Sequence, residues 1–308
     1  MFALAGAAFA QTYPDRPVRL VVGFPPGGAA DILARVAAQQ LTPGLGQQVV
    51  IDNRGGAGGL IATEITARAN ADGYTLLFTS IPHVINPHLY RKVSYDAIKD
   101  FVPIIQFVSV PLMMAAGPSL SSKTVKELIA VAKSKPGVIS YGSAGSGSSS
   151  HLAVELLKSM AGIDLTHIPY KGTGPLITDM LGGQVAVTIA SAVPLSPQVR
   201  SGKLRALAVT GLKRSPAFPD VPAIAESVPG YEVVNWFGVV APAGTPKTIV
   251  MRINTELNKA LQSPELVKTL AAQTADAVGG TPDAFGQVIR ADFAKWAKVV
   301  KDSGARVD

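Results

Sequence analysis

The stretch that most narrows what this chain can fold into is Val18–Leu41, VRLVVGFPPGGAADILARVAAQQL. Val18–Val22 is a short apolar run rich in β-branched residues, long enough for a buried strand and too short for a helix. Phe24-Pro25-Pro26-Gly27-Gly28 then breaks the chain, because two prolines fix φ and two glycines free it. From Ala29 onward Ile32, Leu33, Val36, Ala37 and Leu41 recur at helical spacing, which predicts a helix starting at or just after Gly28. A strand that turns through glycines into a helix leaves bare amide N–H groups at the helix start. Such a start is a ready anion site, and this loop is expected to hold a carboxylate.

The unit repeats down the chain. Gln47–Asp52 reads as a strand, Asn53–Gly59 as a glycine loop, Ile61–Ala69 as a helix and Tyr74–Thr79 as a strand. This β-α-β-α-β order belongs to a mostly parallel sheet with helices on its faces, whose ligands sit beyond the carboxyl ends of the strands. Two such ends are Gly23–Gly28 and Thr79–His83. Phe101–Ala116 is a long apolar extended run interrupted by Pro103 and Pro111, suited to cross between two lobes. The pattern then restarts with a helix at Val125–Ala132, a strand at Val138–Tyr141, the loop Gly142–Ser150 (GSAGSGSSS) and a helix marked by Leu152, Leu156, Leu157 and Met160. Further expectations are a strand at Thr166–Tyr170, a helix at Pro175–Leu181, a strand at Val185–Ala190 ending at Ser191, and a strand at Leu204–Thr210. Val233–Val240 reads as the return crossing. Thr245 is expected to cap a helix with Pro246 at its first position, and the remainder to Val300 reads as helical. Lobe 1 is thus expected at residues 11–106 and 236–308, and lobe 2 at 107–235.

Several function classes lose their basis. The chain has 308 residues and a net charge of +7, but no Lys/Arg cluster interleaved with aromatics, so no nucleic-acid groove is expected. It has no cysteine, which removes disulfides and thiolate metal sites and fits either the cytosol or a periplasm. Met1–Ala10, ending in Ala8-Phe9-Ala10 before Gln11, has the look of a signal peptide without its basic front. Export with cleavage before Gln11 is therefore expected, and residues 1–10 are set apart from the fold. The glycine loops contain no G-x-S-x-G, G-x-G-x-x-G or P-loop pattern, and the histidines at 83, 88, 151 and 167 lack metal spacing. No cofactor, metal or catalytic residue is expected.

The candidate ligand-binding residues sit at strand ends. The first group is Phe24, Gly27, Gly28 and Ala29; the second is Thr79, Ser80 and His83, which follows a strand end toward the cleft. Asp31 reads as scaffold: its carboxylate suits the positive helix end and can reach back to loop amides. In lobe 2 the candidates are Ser143, Ala144, Ser146, Gly147 and Ser148. Helix capping accounts for one of those serines, while three hydroxyls with free amides point to an anion. Tyr170, Lys171 and Gly172 end another strand, with Lys171 either a solvated charge or a counter-ion, and Ser191 ends a further one. His151 reads equally as packing or contact, His88 and His167 as packing or surface. Gly55–Gly59 reads chiefly as a turn that opens a helix by close packing.

The motifs together resemble one family. Tyr13-Pro14, Pro17, the run Val22-Gly23-Phe24-Pro25-Pro26-Gly27-Gly28 with Asp31, and Asp52-Asn53-Arg54 with Gly56-Ala57-Gly58-Gly59 are similar to the Bug family. So are Asp72-Gly73-Tyr74, Asn86-Pro87, Tyr95-Asp96, Asp100-Phe101, Pro103-Ile104, Tyr170-Lys171-Gly172 and Trp236-Phe237-Gly238, in family order over nearly the whole chain after residue 10. These are extracytoplasmic solute receptors of tripartite tricarboxylate transporters. The resemblance implies an α/β, two-lobed Venus-flytrap fold that closes on a small organic acid, either a dicarboxylate or an aromatic carboxylate. It implies one carboxylate held between the Phe24–Ala30 and Ser143–Ser148 loops through amides, hydroxyls and waters. Ala29-Ala30 departs from the family, which usually has a Ser or Thr there, so backbone amides and water must replace a hydroxyl. The implied partners are the acid and membrane transporter subunits, with the receptor a monomer. Other readings are a ligand-loaded receptor for a sensor kinase, or a hydrolase-type enzyme acting on a carboxylate.

Overall fold

A computed structural model describes residues 13–215, 217–303 and 306. The leader-like segment 1–10 and the expected cleavage point before Gln11 lie outside the described residues.

The first half builds as the strand–loop–helix reading predicts. It runs β1 (Val18–Val22), α1 (Ala29–Leu45), β2 (Val49–Asn53), α2 (Leu60–Ala67) and β3 (Thr75–Ser80), then α3 (Pro82–Leu89) and β4 (Phe101–Ala116). The second half runs α4 (Val125–Ser134), β5 (Ser140–Ser143), α5 (Ser149–Ala161), β6 (Thr166–Pro169), α6 (Thr173–Leu181), β7 (Val187–Ser191), α7 (Ala192–Arg200) and β8 (Arg205–Val209). The chain returns through β9 (Val234–Pro242) and ends in α8 (Lys247–Leu261), α9 (Pro264–Ala272), β10 (Asp276–Ala277) and α10 (Pro282–Ser303).

The strands form one mixed sheet in the order β2-β1-β3-β9-β4-β7-β5-β6. Its two wings, β2-β1-β3 and β7-β5-β6, are parallel within themselves. The centre is antiparallel, because β4 and β9 cross the molecule in opposite directions and pair from Phe101 with Pro242 to Pro111 with Val234. Beyond Pro111, β4 changes partners: Leu112–Ala116 pairs with β7, and Met113–Ala116 with β8. Each wing therefore presents the carboxyl ends of its strands to the same cleft, where ligands of such sheets sit.

Two helices are shaped by their prolines. The run after β3 is helical despite Pro82 and Pro87. Pro82 occupies the first turn, where its missing N–H costs nothing. Pro87 leaves the His83 carbonyl without its helical donor, and the Tyr95 hydroxyl donates to that carbonyl instead at 3.2 Å. Thr245 does not cap α8. Pro246 keeps an extended ψ of 135°, so the helix starts at Lys247, and the Thr245 hydroxyl turns back to the Pro242 carbonyl at 2.7 Å. The C-terminal stretch is also not one helical run, since β10 pairs with β4 between α9 and α10.

The core of lobe 1 gathers around Leu20, Leu33, Leu41 and Leu76, all fully buried. Each such side chain contributes roughly 1.5–3 kcal/mol over leaving it in water. A separate buried cluster joins the two lobes, with Leu152 and Leu157 of α5 in the same packing as Phe285 and Trp296 of α10. The closing helix is therefore part of the core that both lobes share.

Candidate ligand-binding site

The Gly23–Gly28 turn is shaped by what lies around it. A Cβ on Gly23 would stand 2.9 Å from the Gly59 Cα, so only glycine lets these loops meet. Gly27 has φ +84°. Its amide donates to Asp31 Oδ2 at 3.0 Å, as the scaffold reading of Asp31 expects. Asn53 Nδ2 donates both to Asp31 Oδ1 at 3.1 Å and to the Phe24 carbonyl at 2.9 Å, and Arg35 Nε donates to Asp31 Oδ1 at 3.0 Å. Burial alone would raise the Asp31 carboxyl, but these donors outweigh it and hold the group below the ordinary carboxylate range. Asp31 thus spends its charge beneath the loop. The first amides of α1, from Ala29 on, have no helical acceptor, and Ala29 and Ala30 line the cleft.

Lobe 2 repeats the device with serines. Ser148 caps α5, its Oγ accepting from the His151 amide at 3.3 Å, and lies 2.8 Å from Ser150 Oγ. Ser150 Oγ accepts in turn from the Ala144 amide at 2.8 Å. Ser143 is fully buried, with its Oγ 2.6 Å from His167 Nε2 and accepting from the Gly145 amide at 3.2 Å. His167 stacks between Tyr141 and His151, with centroids 4.8 and 4.3 Å apart. Burial, reinforced by the neighbouring His151, pushes His167 down to about 4, so the stack is neutral near pH 7. These serines and histidines form the floor that shapes the loop.

Two more helices start at the same cleft. Gly172, with φ +114°, opens α6, and Ser191 caps α7 through its Oγ, which accepts from the Val193 amide at 3.4 Å. The N-termini of α1, α5, α6 and α7 thus surround one cavity of about 540 Å³, a volume that includes its open mouth. Of the expected residues it is lined by Phe24, Gly28, Ala29, Ser80, Ala144, Ser148, Lys171, Gly172 and Ser191. Lys171 is the one ionisable side chain among the described residues lining it, and no carboxylate does. The cavity is therefore rich in donors at its rim and apolar at Phe24 and Phe237.

The remaining expected residues stand nearby. Thr79 and His83 border a small pocket beneath the first loop, and His83 Nε2 bonds the Ala97 carbonyl at 2.9 Å. Ser146 and Tyr170 face an outer crevice, with the Tyr170 hydroxyl donating to Asp179 Oδ2 at 2.8 Å. Gly27 is turned to Asp31. Ser143 lies in the floor, and Gly147 packs against Asn86 and Tyr90. Sequence reasoning passed over Ser149, Thr173, Asn235 and Phe237, which do line the cavity. A usable signal existed for the last two: in VVNWFGVV they alternate with Trp236, and Asn235 is the one non-aromatic polar residue of an apolar strand.

The lobes touch across the mouth. The Tyr90 hydroxyl donates to the Ser146 carbonyl at 3.1 Å, and a Cβ on Gly58 would stand 2.6 Å from that same carbonyl. A Cβ on Gly172 would stand 3.2 Å from Pro25 Cδ. The glycines at this contact let two backbones close over the cavity.

Comparison with known proteins gives a consistent result. The family model described as the tripartite tricarboxylate transporter family receptor matches residues 33–305. The protein BugT of Bordetella pertussis is 41% identical over 307 residues, covering 99% of this chain and 94% of its own. A solved structure of Rhodopseudomonas palustris Rpa4515 with adipate is 40% identical, covers 96% of this chain and 100% of that one, and superposes with a TM-score of 0.92. MatC of the same organism, solved with bound malate, is 31% identical, covers 94% and 100%, and has a TM-score of 0.90.

Proposed function

Because the chain belongs to the tripartite tricarboxylate transporter receptor family, we propose that it is an exported, periplasmic solute-binding protein that captures a small dicarboxylate. The observation that carries this reading is the convergence of four helix N-termini and Lys171 on a cavity lined by no carboxylate. Each N-terminus offers unpaired amides and the positive end of a dipole, so the cavity favours an anion with charge at more than one point. Adipate and malate, bound by the two relatives from Rhodopseudomonas palustris, are both acids of that kind.

Binding occurs without turnover. The one contact between a serine hydroxyl and a histidine ring among the described residues, Ser143 with His167, lies in the loop floor, where the buried hydroxyl is not presented to a substrate. The captured acid is handed, by a monomeric receptor, to membrane transporter subunits. The crossing strands β4 and β9 serve as the hinge between lobe 1 (residues 11–106 and 236–308) and lobe 2 (107–235). An anion that meets amides from both lobes stabilises the closed form, and that differential affinity drives closure.

Calorimetric titration with unbranched dicarboxylates from four to six carbons tests the assignment. Saturable binding, with each acid recovered unchanged, is the expected result. Absence of binding by every acid, or conversion of one, overturns it.

A further inference from the structure

The cavity wall holds a polar group with nothing to bind. Asn235 on β9 is 2% exposed, lines the cavity, and its Oδ1 has no hydrogen-bond partner. Buried side-chain acceptors are nearly always paired, because an unpaired one forfeits its bonds to water and gains nothing. Of the buried polar atoms left unpaired among the described residues, this is the one whose residue lines the main cavity. Its neighbours on the strand are accounted for. Trp236 points the other way, its Nε1 donating to Asp292 Oδ2 at 2.7 Å, and Phe237 stacks on Phe78 at 5.9 Å between centroids.

The chemistry around Asn235 narrows what it reads. The helix N-termini and Lys171 supply donors, which suit carboxylate oxygens. A carboxylate has no proton to give to Oδ1. An ammonium group would have one, but no acidic side chain lines the cavity to balance its charge. A hydroxyl supplies the missing donor at no cost in charge. We propose that Asn235 is a specificity-determining residue that selects dicarboxylates carrying a hydroxyl over their plain counterparts. The proposal rests on the dicarboxylate reading above and refines it.

A cycle between protein and ligand tests it. The wild-type protein and Asn235→Leu, which keeps the branched shape and removes the amide, are titrated with three pairs: succinate and malate, glutarate and 2-hydroxyglutarate, adipate and 2-hydroxyadipate. In the wild type the hydroxy acid of the pair that fits should bind about tenfold more tightly, the worth of one net hydrogen bond. In Asn235→Leu that preference should vanish, while the ligand-free melting temperature rises because an unpaired polar group is gone. If the leucine variant fails to fold, Asn235→Ala takes its place in the same comparison. Equal affinity within every pair in the wild type, or a preference that survives the substitution, overturns the role of Asn235 and leaves the dicarboxylate reading standing. Failure of the wild type to bind any of the six acids overturns that reading, and this inference with it.

Discussion

At the scale of single residues, Gly28 and Lys171 separate affinity from stability. Gly28 has φ −83°, a value any residue adopts, and a Cβ there would meet only the Pro25 carbonyl, at 3.7 Å. Gly28→Val should therefore fold normally and fill the space where the first α1 amides meet the ligand. Loss of binding with an unchanged melting temperature, read by calorimetry and thermal unfolding, is the expected outcome. Full affinity in the folded variant would put the carboxylate elsewhere. Lys171 is exposed at the rim, and Lys171→Met should weaken dicarboxylates more than monocarboxylates of the same length, with the gap shrinking as salt rises. The positions of Gly28, Gly172 and Lys171 beside the cavity are legible in the sequence, since a turn into a helix has few ways to be built. The serines were less so. Ser143, Ser146 and Ser148 look alike in the sequence, yet one is a floor, one faces the outer crevice and one is a cap. Hydroxyl spacing in a loop is set equally by capping and by ligands, and only the partners tell them apart.

Among elements, the glycine loop Gly55–Gly59 is a latch as much as a turn. Gly58 has φ +61°, and its Cα faces the Ser146 carbonyl of the opposite lobe. Gly58→Ala carries a local strain of roughly 1 kcal/mol in any state of the lobes. Its methyl group collides with Ser146 only when the lobes meet. The variant should melt slightly lower, bind its acid at least about tenfold more weakly because the closed form is less populated, and keep a larger radius of gyration in scattering with ligand present. Closure and affinity matching the wild type would show that the contact is incidental. The sequence reading of this loop as close packing was sound in kind, but no periodicity reveals which distant backbone a glycine admits. The same holds for α3. Its prolines argue against a helix locally, and the Tyr95 hydroxyl that rescues the His83 carbonyl lies twelve residues away. By contrast, β4 is legible over its whole length, because a sixteen-residue run in which only Gln106 and Ser109 are polar, and which has no helical period, reads as one extended crossing.

Over the whole molecule, the shared core makes stability depend on pH through buried histidines. His83 is held in the cluster that joins the lobes, edge-on to Phe101 at 4.7 Å, with Nε2 on the Ala97 carbonyl and Nδ1 unpaired. Burial pushes its pKa down to about 4, and burial with the nearby His151 does the same to His167. Both are neutral in the folded protein at pH values where an unfolded histidine, near 6.5, already takes up a proton. Between about 6.5 and 4 the unfolded chain therefore binds more protons than the native one, and stability falls as pH is lowered through that window. Asp31 and Asp52, whose carboxyls lie below their ordinary range, add a further loss only at lower pH, as those carboxylates protonate. For the fully buried His83 the effect is on the order of 3 kcal/mol across the window. His83→Gln retains a donor for the Ala97 carbonyl and cannot titrate. Urea unfolding at pH 7, 6, 5 and 4.5 should show a clear acid slope in the wild type and a flatter one in the variant, whatever the variant's absolute stability at pH 7. Parallel slopes would mean that His83 keeps a solvent-like pKa, and that the core joining the two lobes is open enough to hydrate it.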